Sequence, residues 1–136
     1  MDRKALAPVQ VRFARSTDRM AEIERFYVQG LGMSVLGSFQ DHDGYDGLMV
    51  GFPGASWHLE FTHHLRGSPG PAPSRENLLV CYYPGQDAAE AAAARLRGLG
   101  WPEVAPENPY WLGKARVVPD PDGWEVVLFF RPWQST

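Results

Sequence analysis

The chain repeats one structural unit at about half its length, and that repetition limits the folds open to it. An extended apolar stretch, residues 9–14, runs into the polar corner Ser16, Thr17 and Asp18, then a helical segment, then Gly30-Leu31-Gly32. Residues 78–83 run into Pro84-Gly85-Gln86-Asp87, a second helical segment, and Gly98-Leu99-Gly100, so that Gly98 stands 68 residues beyond Gly30. Neither half is large enough to bury a core alone, so the two βα units must pack on each other or on a neighbour. The groove between such modules is the natural seat of a ligand.

Val9, Val11 and Phe13 alternate with Gln10, Arg12 and Ala14, the period of a half-buried strand. Ser16, Thr17 and Asp18 offer caps to a helix whose Met20, Ile23 and Phe26/Tyr27 follow three- and four-residue spacing, with Gly30 as its stop. Strands over 34–39, 48–52 and 57–62, separated by Asp-Gly and Pro-Gly turn signals, read as an antiparallel meander. The first module is thus β-α-β-β-β over about residues 9–62. Residues 63–76 hold Gly67, Ser68, Pro69, Gly70, Pro71, Pro73 and Ser74 and form the connector. The second module, about 77–131, has a strand over 77–83 and an alanine-rich helix ending at Gly98, with Asp87 and Glu90 in capping-box spacing. Glu103-Val104, a stretch over 110–118, the turn Asp120-Pro121-Asp122-Gly123 and a strand over 124–130 follow. The expected class is α+β, a single domain over 1–136 in which two tandem βαβββ modules form a curved mixed sheet around a central groove.

Composition removes several function classes. At 136 residues and 44% hydrophobic, the chain suits one compact domain. Its formal net charge of −3 lacks the basic excess of a nucleic-acid binder. Cys81 is alone, so no intrachain disulfide forms, and a reducing cytoplasm is the expected location. Met1, Asp2, Arg3 and Lys4 do not open a signal peptide, and no stretch approaches the roughly 20 apolar residues of a membrane span.

Arg25-Phe26-Tyr27 with Gly30-Leu31-Gly32-Met33-Ser34-Val35-Leu36, the strand His58-Leu59-Glu60-Phe61-Thr62, and Asp120-Pro121-Asp122-Gly123-Trp124-Glu125-Val126-Val127-Leu128 carry a resemblance over nearly the whole chain. It is to the vicinal oxygen chelate superfamily, which includes glyoxalase I, extradiol dioxygenases, fosfomycin-resistance proteins and bleomycin-binding proteins. The resemblance implies a small ligand on the concave face of the paired modules, often with a homodimer partner completing the site. It also implies up to four metal ligands. Glu60 matches the second position. Asn77 stands at the third, where a histidine is common, and Val127 at the fourth, where a glutamate is common. The first falls on Val11 or Arg12, and alternation favours Arg12, because Val9, Val11 and Phe13 then face the helices. One strong donor does not make a transition-metal site, and a guanidinium beside it repels a cation. No cofactor is expected, and Glu60 is the residue to hold a divalent metal if one binds.

Residues two apart on a strand share a face. His58, Glu60 and Thr62 should therefore point into the groove while Trp57, Leu59 and Phe61 pack under the helices, and Arg12, Asn77, Cys81, Val127 and Phe129 should be groove-facing. In one reading Arg12 and Glu60 hold a polar small molecule, or His58 and Glu60 exchange a proton beside an anion held by Arg12. In the other the two form an ion pair in place of the metal, with His58 bonded at its side. His63, His64 and His42 read as structural or turn residues, and Cys81 as a small buried one. Tyr45, Tyr110, Trp111 and Trp124 could wall a groove for a flat ligand. The leading expectation is a metal-independent small-molecule binding protein, similar to the bleomycin-binding members. The alternatives are a glyoxalase- or lyase-type enzyme using Glu60 with unusual metal ligands, and a metal-free isomerase or hydrolase using His58 and Glu60. An extradiol dioxygenase is not expected.

Overall fold

The computed structural model of the chain describes residues 6–67 and 70–134. The expectations resting on Met1, Asp2, Arg3 and Lys4, and on Ser68 and Pro69 of the connector, lie outside the described residues.

Strand β1 (Val11–Ser16) leads into helix α1 (Met20–Glu24), a π-helical turn (Arg25–Gly30), and strands β2 (Ser34–His42), β3 (Tyr45–Gly51) and β4 (Trp57–His64). These strands form a sheet in the order β1-β4-β3-β2, with β1 parallel to β4 and the rest antiparallel. The second module has β5 (Leu78–Tyr82), helix α2 (Gln86–Gly98), a 3-10 turn (Pro109–Trp111), β6 (Ala115–Pro119) and β7 (Glu125–Phe129). Its order, β5-β7-β6, repeats the first, and the fourth strand survives as the single bridge Val104↔Val117. The chain is thus the expected α+β pair of βαβββ modules, with its sheet in two parts.

Both helices lie between the two sheets. One core joins Ile23, Phe26 and Tyr27, Ala89, Ala92 and Leu96 of α2, Val50, Leu59 and Phe61 of the first sheet, and Val126 and Leu128 of the second. The helical layers meet where Gly30 passes under Leu96, Arg95 Nε donates to the Gly30 carbonyl at 3.2 Å, and Phe26 packs edge-on against Trp101 at 5.4 Å. A β-carbon at Gly30 would run into Leu96. The helical run does end at Gly30 as expected, but the glycine is needed there for close packing, and the left-handed turn falls at Gly32, at φ +79°.

Local capping differs from expectation in the same way. The N-cap of α1 is Arg19 and that of α2 is Gly85, neither with a side-chain cap bond. Thr17 Oγ1 instead accepts from the Arg19 amide at 3.0 Å, and Glu90 turns outward to Arg116 at 2.7 Å. β1 begins two residues later than the alternation suggested and continues through Arg15 and Ser16. Among the described residues no helix is long and apolar enough to cross a membrane.

Candidate functional site

Because the helices fill the space between the sheets, each sheet turns its other face outward. On the first sheet, β1 pairs with β4 so that Arg12 lies beside His58 and Ala14 beside Glu60. The structure thereby brings together three expected site residues. Arg12 Nη1 stands 3.5 Å from Glu60 Oε2, with the Arg12 side chain 55% exposed and that of Glu60 10%. His58 Nδ1 is engaged by the side-chain amide of Gln10 at 3.0 Å, and not by the Arg12–Glu60 pair.

On the second sheet Val127 and Phe129 face outward together, with Val127 fully buried. The cover comes from the segment that replaces the missing strand. Asn108 Oδ1 caps the Pro109–Trp111 turn by accepting from the Tyr110 amide at 3.0 Å, and the turn sets Trp111 against Phe129 with ring centroids 5.8 Å apart. Glu125 shares that face and is buried, held by Arg75 Nε at 2.6 Å; the same guanidinium reaches Glu107 at 3.0 Å and the Ala105 carbonyl at 2.6 Å.

Of the other expected residues, Asn77 shares a cleft with His58 at the junction of the modules, and Cys81 joins neither. Leu79 and Cys81 pack on the core opposite Val126 and Leu128, so the side of β5 that faces outward is Leu78, Val80 and Tyr82, correcting the expectation for Cys81. Burial pushes the Cys81 thiol up to about 11, which leaves it protonated at neutral pH. Asn77 precedes β5 and donates to Ser74 Oγ at 2.8 Å. It lines a cleft of about 460 Å³ between the modules, with Val11, Phe13, Trp57, Leu78 and Trp124 among its walls. Val11 and Phe13 do lie on the helix side of β1, yet they are 55% and 61% exposed in this cleft. His63 Nδ1 lies 3.0 Å from the Thr17 carbonyl, and His64 accepts from the Arg66 amide at 3.0 Å. Among the described residues no three His, Cys, Asp or Glu side chains gather around a common point as a metal site would require.

Sequence reasoning missed the junction of the two modules. Arg15 Nη2 donates to Asp120 Oδ2 at 2.5 Å, Tyr27 Oη donates to the same oxygen at 2.7 Å, and the Asp122 and Trp124 amides bond Asp120 Oδ1 at 2.9 and 3.1 Å. The Arg15 guanidinium is sandwiched between Phe61 and Trp124, 5.0 and 4.7 Å from their ring centroids. Burial, with the Asp120 charge next, holds the Tyr27 phenol well above its ordinary range. The available signal was the alternation itself: carried two residues further, it puts Arg15 on the helix face with Val11 and Phe13.

Two βαβββ modules with matching strand order, outward ligand-type faces and helices between them define the class: this is a protein of the vicinal oxygen chelate superfamily. Within that class the chain belongs to the YycE-like family, matching the YycE-like N-terminal domain over residues 11–62 and the YycE-like C-terminal domain over residues 76–130. It is 45% identical over 119 residues to the protein YycE of Bacillus subtilis (strain 168), covering 88% of this chain and 86% of that one. The crystal structure of YycE from Bacillus subtilis superposes with a TM-score of 0.86 at 42% identity, covering 94% of this chain and 93% of that one. TnmS3, an antibiotic binding protein from Streptomyces sp. CB03234, is similar at 27% identity and a TM-score of 0.62, over 90% of this chain and 94% of its own. The trypanothione-dependent glyoxalase I of Leishmania major shares the fold at 17% identity and a TM-score of 0.73, over 92% and 88% of the two chains.

Proposed function

We propose that the protein is a metal-independent small-molecule binding protein that works as a homodimer, each groove bounded by the first sheet of one copy and the second sheet of the other. The observation that carries this reading is the outward orientation of both walls. Arg12 and Glu60 on one sheet and Trp111 and Phe129 on the other point away from each other within a chain, so a second copy is needed to close a groove, while His58 reaches the cleft between the modules. The strands β1 and β5 are free edges, and Val11 and Phe13 stand exposed beside them. A long apolar edge strand that stays uncovered is an aggregation hazard, which a partner strand removes.

The donors present do not fit a divalent ion. Glu60 is engaged by Arg12, Glu125 by Arg75, and Val127 stands where the resemblance expects a carboxylate. Nor are His58 and Glu60 set up to exchange a proton with each other, since Gln10 and Arg12 hold them separately. The antibiotic-binding TnmS3, at 27% identity, supports binding over catalysis as the use of this fold here. A reducing cytoplasm suits the single, half-buried thiol.

Sedimentation velocity tests the assembly. The protein is expected to run as a dimer and Phe13→Asp as a folded monomer. Dimers that persist in Phe13→Asp, or a monomeric parent protein, overturn the reading. Metal analysis of protein purified without a histidine tag tests the rest, and stoichiometric metal lost on Glu60→Ala overturns metal independence.

A further inference from the structure

Resting on that reading, we infer that the outward face of the second sheet carries a binding box for a planar aromatic anion. Tyr82, Tyr110, Trp111, Phe129, Arg131 and Trp133 wall a cavity of about 320 Å³ there. That is at the small end of ligand pockets, ~300–1,000 Å³, and suits two fused rings.

The rings are arranged to receive another ring. Phe129 forms the floor, with Tyr82 at 5.4 Å and Trp111 at 5.8 Å, and Tyr110 stands edge-on to Trp111 at 5.0 Å. Three of the five aromatics are far from buried: Tyr82 is 44% exposed, Tyr110 53% and Trp133 65%. Large aromatic side chains clustered at one exposed place mark a recognition site, since their burial gains most when a partner arrives.

Charge specifies the ligand further. Arg131 lies 5.7 Å from the Phe129 ring centroid and Lys114 3.9 Å from that of Tyr110. Arg12, Arg15, Arg19, Arg75 and Arg116 each sit against a carboxylate. Arg131 and Lys114 have none among the described residues, and nor do Arg25, Arg66, Arg95 and Arg97 elsewhere on the chain, so what distinguishes Arg131 is its place in the lining. One uncompensated cation in the lining, Arg131, with Lys114 stacked on the Tyr110 wall, selects an anion attached to a flat ring system on a chain of net charge −3. The expected residues Trp111 and Phe129 are part of this box, whereas Tyr82, Arg131 and Trp133 become visible only through it.

The test titrates 2-naphthoate into the full-length protein, read by calorimetry and tryptophan fluorescence, with cyclohexanecarboxylate and 2-naphthamide as controls. Naphthoate should bind saturably, with the saturated acid and the amide each weaker. Tyr110→Ala and Trp133→Ala, both at exposed positions, should each weaken naphthoate about two- to tenfold, and Arg131→Gln should abolish the preference for carboxylate over amide. No saturable binding, or binding unchanged in Tyr110→Ala and Trp133→Ala, overturns the proposal. A dimer that ignores naphthoate removes the box and leaves the paired-copy reading standing; a monomer that binds it does the reverse.

Discussion

Arg15 and Asp120, 105 residues apart in sequence, share a hydrogen-bonded ion pair that joins the first strand of one module to the turn before the last strand of the other. Both side chains are nearly free of solvent, so each depends on the other for compensation. Asp120→Ala should cost about 3–5 kcal/mol, because it strands a buried guanidinium. Tyr27→Phe should cost less, about 1–2 kcal/mol, because Asp120 keeps Arg15 and two backbone donors. Urea unfolding of the three proteins checks both, and an Asp120→Ala variant of parental stability would remove this junction from the account.

The Arg12–Glu60 pair should cost less to break. Arg12 is more than half exposed, so water screens its side of the pair, but Glu60 is only 10% exposed and loses its partner, and Arg12→Ala should cost about 1–3 kcal/mol. For the same donor-set reason, added zinc should not raise the Tm. Differential scanning calorimetry with and without the metal measures both effects.

These two pairs differ in how readable they were. Arg12 and Glu60 came from period-two alternation and the strand motif around His58, which are local. Arg15 was missed because the strand was ended at Ala14, and Asp120 because its turn signal accounted for it without a partner.

Alkaline pH should destabilise the protein in stages. Cys81 is raised from the usual 9.0 to about 11 by burial, and Tyr83 from 10.0 to about 12, first by burial. In each case the folded state keeps a proton that the unfolded chain releases, so stability is full below the ordinary value and falls as pH rises through the window up to the raised one. The first loss, between pH 9 and 11, should vanish in Cys81→Ser. Denaturant midpoints measured from pH 7 to 11 follow it, and parallel curves for the two proteins would refute the assignment.

Gly30→Ala should lose about 1–3 kcal/mol by overpacking the seam between the helices. Leu96→Ala makes a cavity of its own, yet the double variant should be less destabilised than the two losses added together, since the shortened side chain admits the new methyl. Strict additivity in a double-mutant cycle would place the cost in backbone conformation instead.

Module count, element order and the residues sharing each strand face follow from information spaced a few positions apart. Period-two alternation, glycine and proline turns, and alanine-rich helical spacing act through backbone sterics and local burial, and they place Arg12, His58 and Glu60 on one face with no reference to the rest of the chain. Tertiary structure decided which way those faces turn. Gly30 lets the two helical layers approach at Leu96, Arg15 and Asp120 lock the modules back to back, and the segment replacing one strand lays Trp111 over Phe129. Each of these depends on contacts between segments separated by tens of residues, whose free energy exists only once both surfaces have formed and met, and no local pattern in either segment records it.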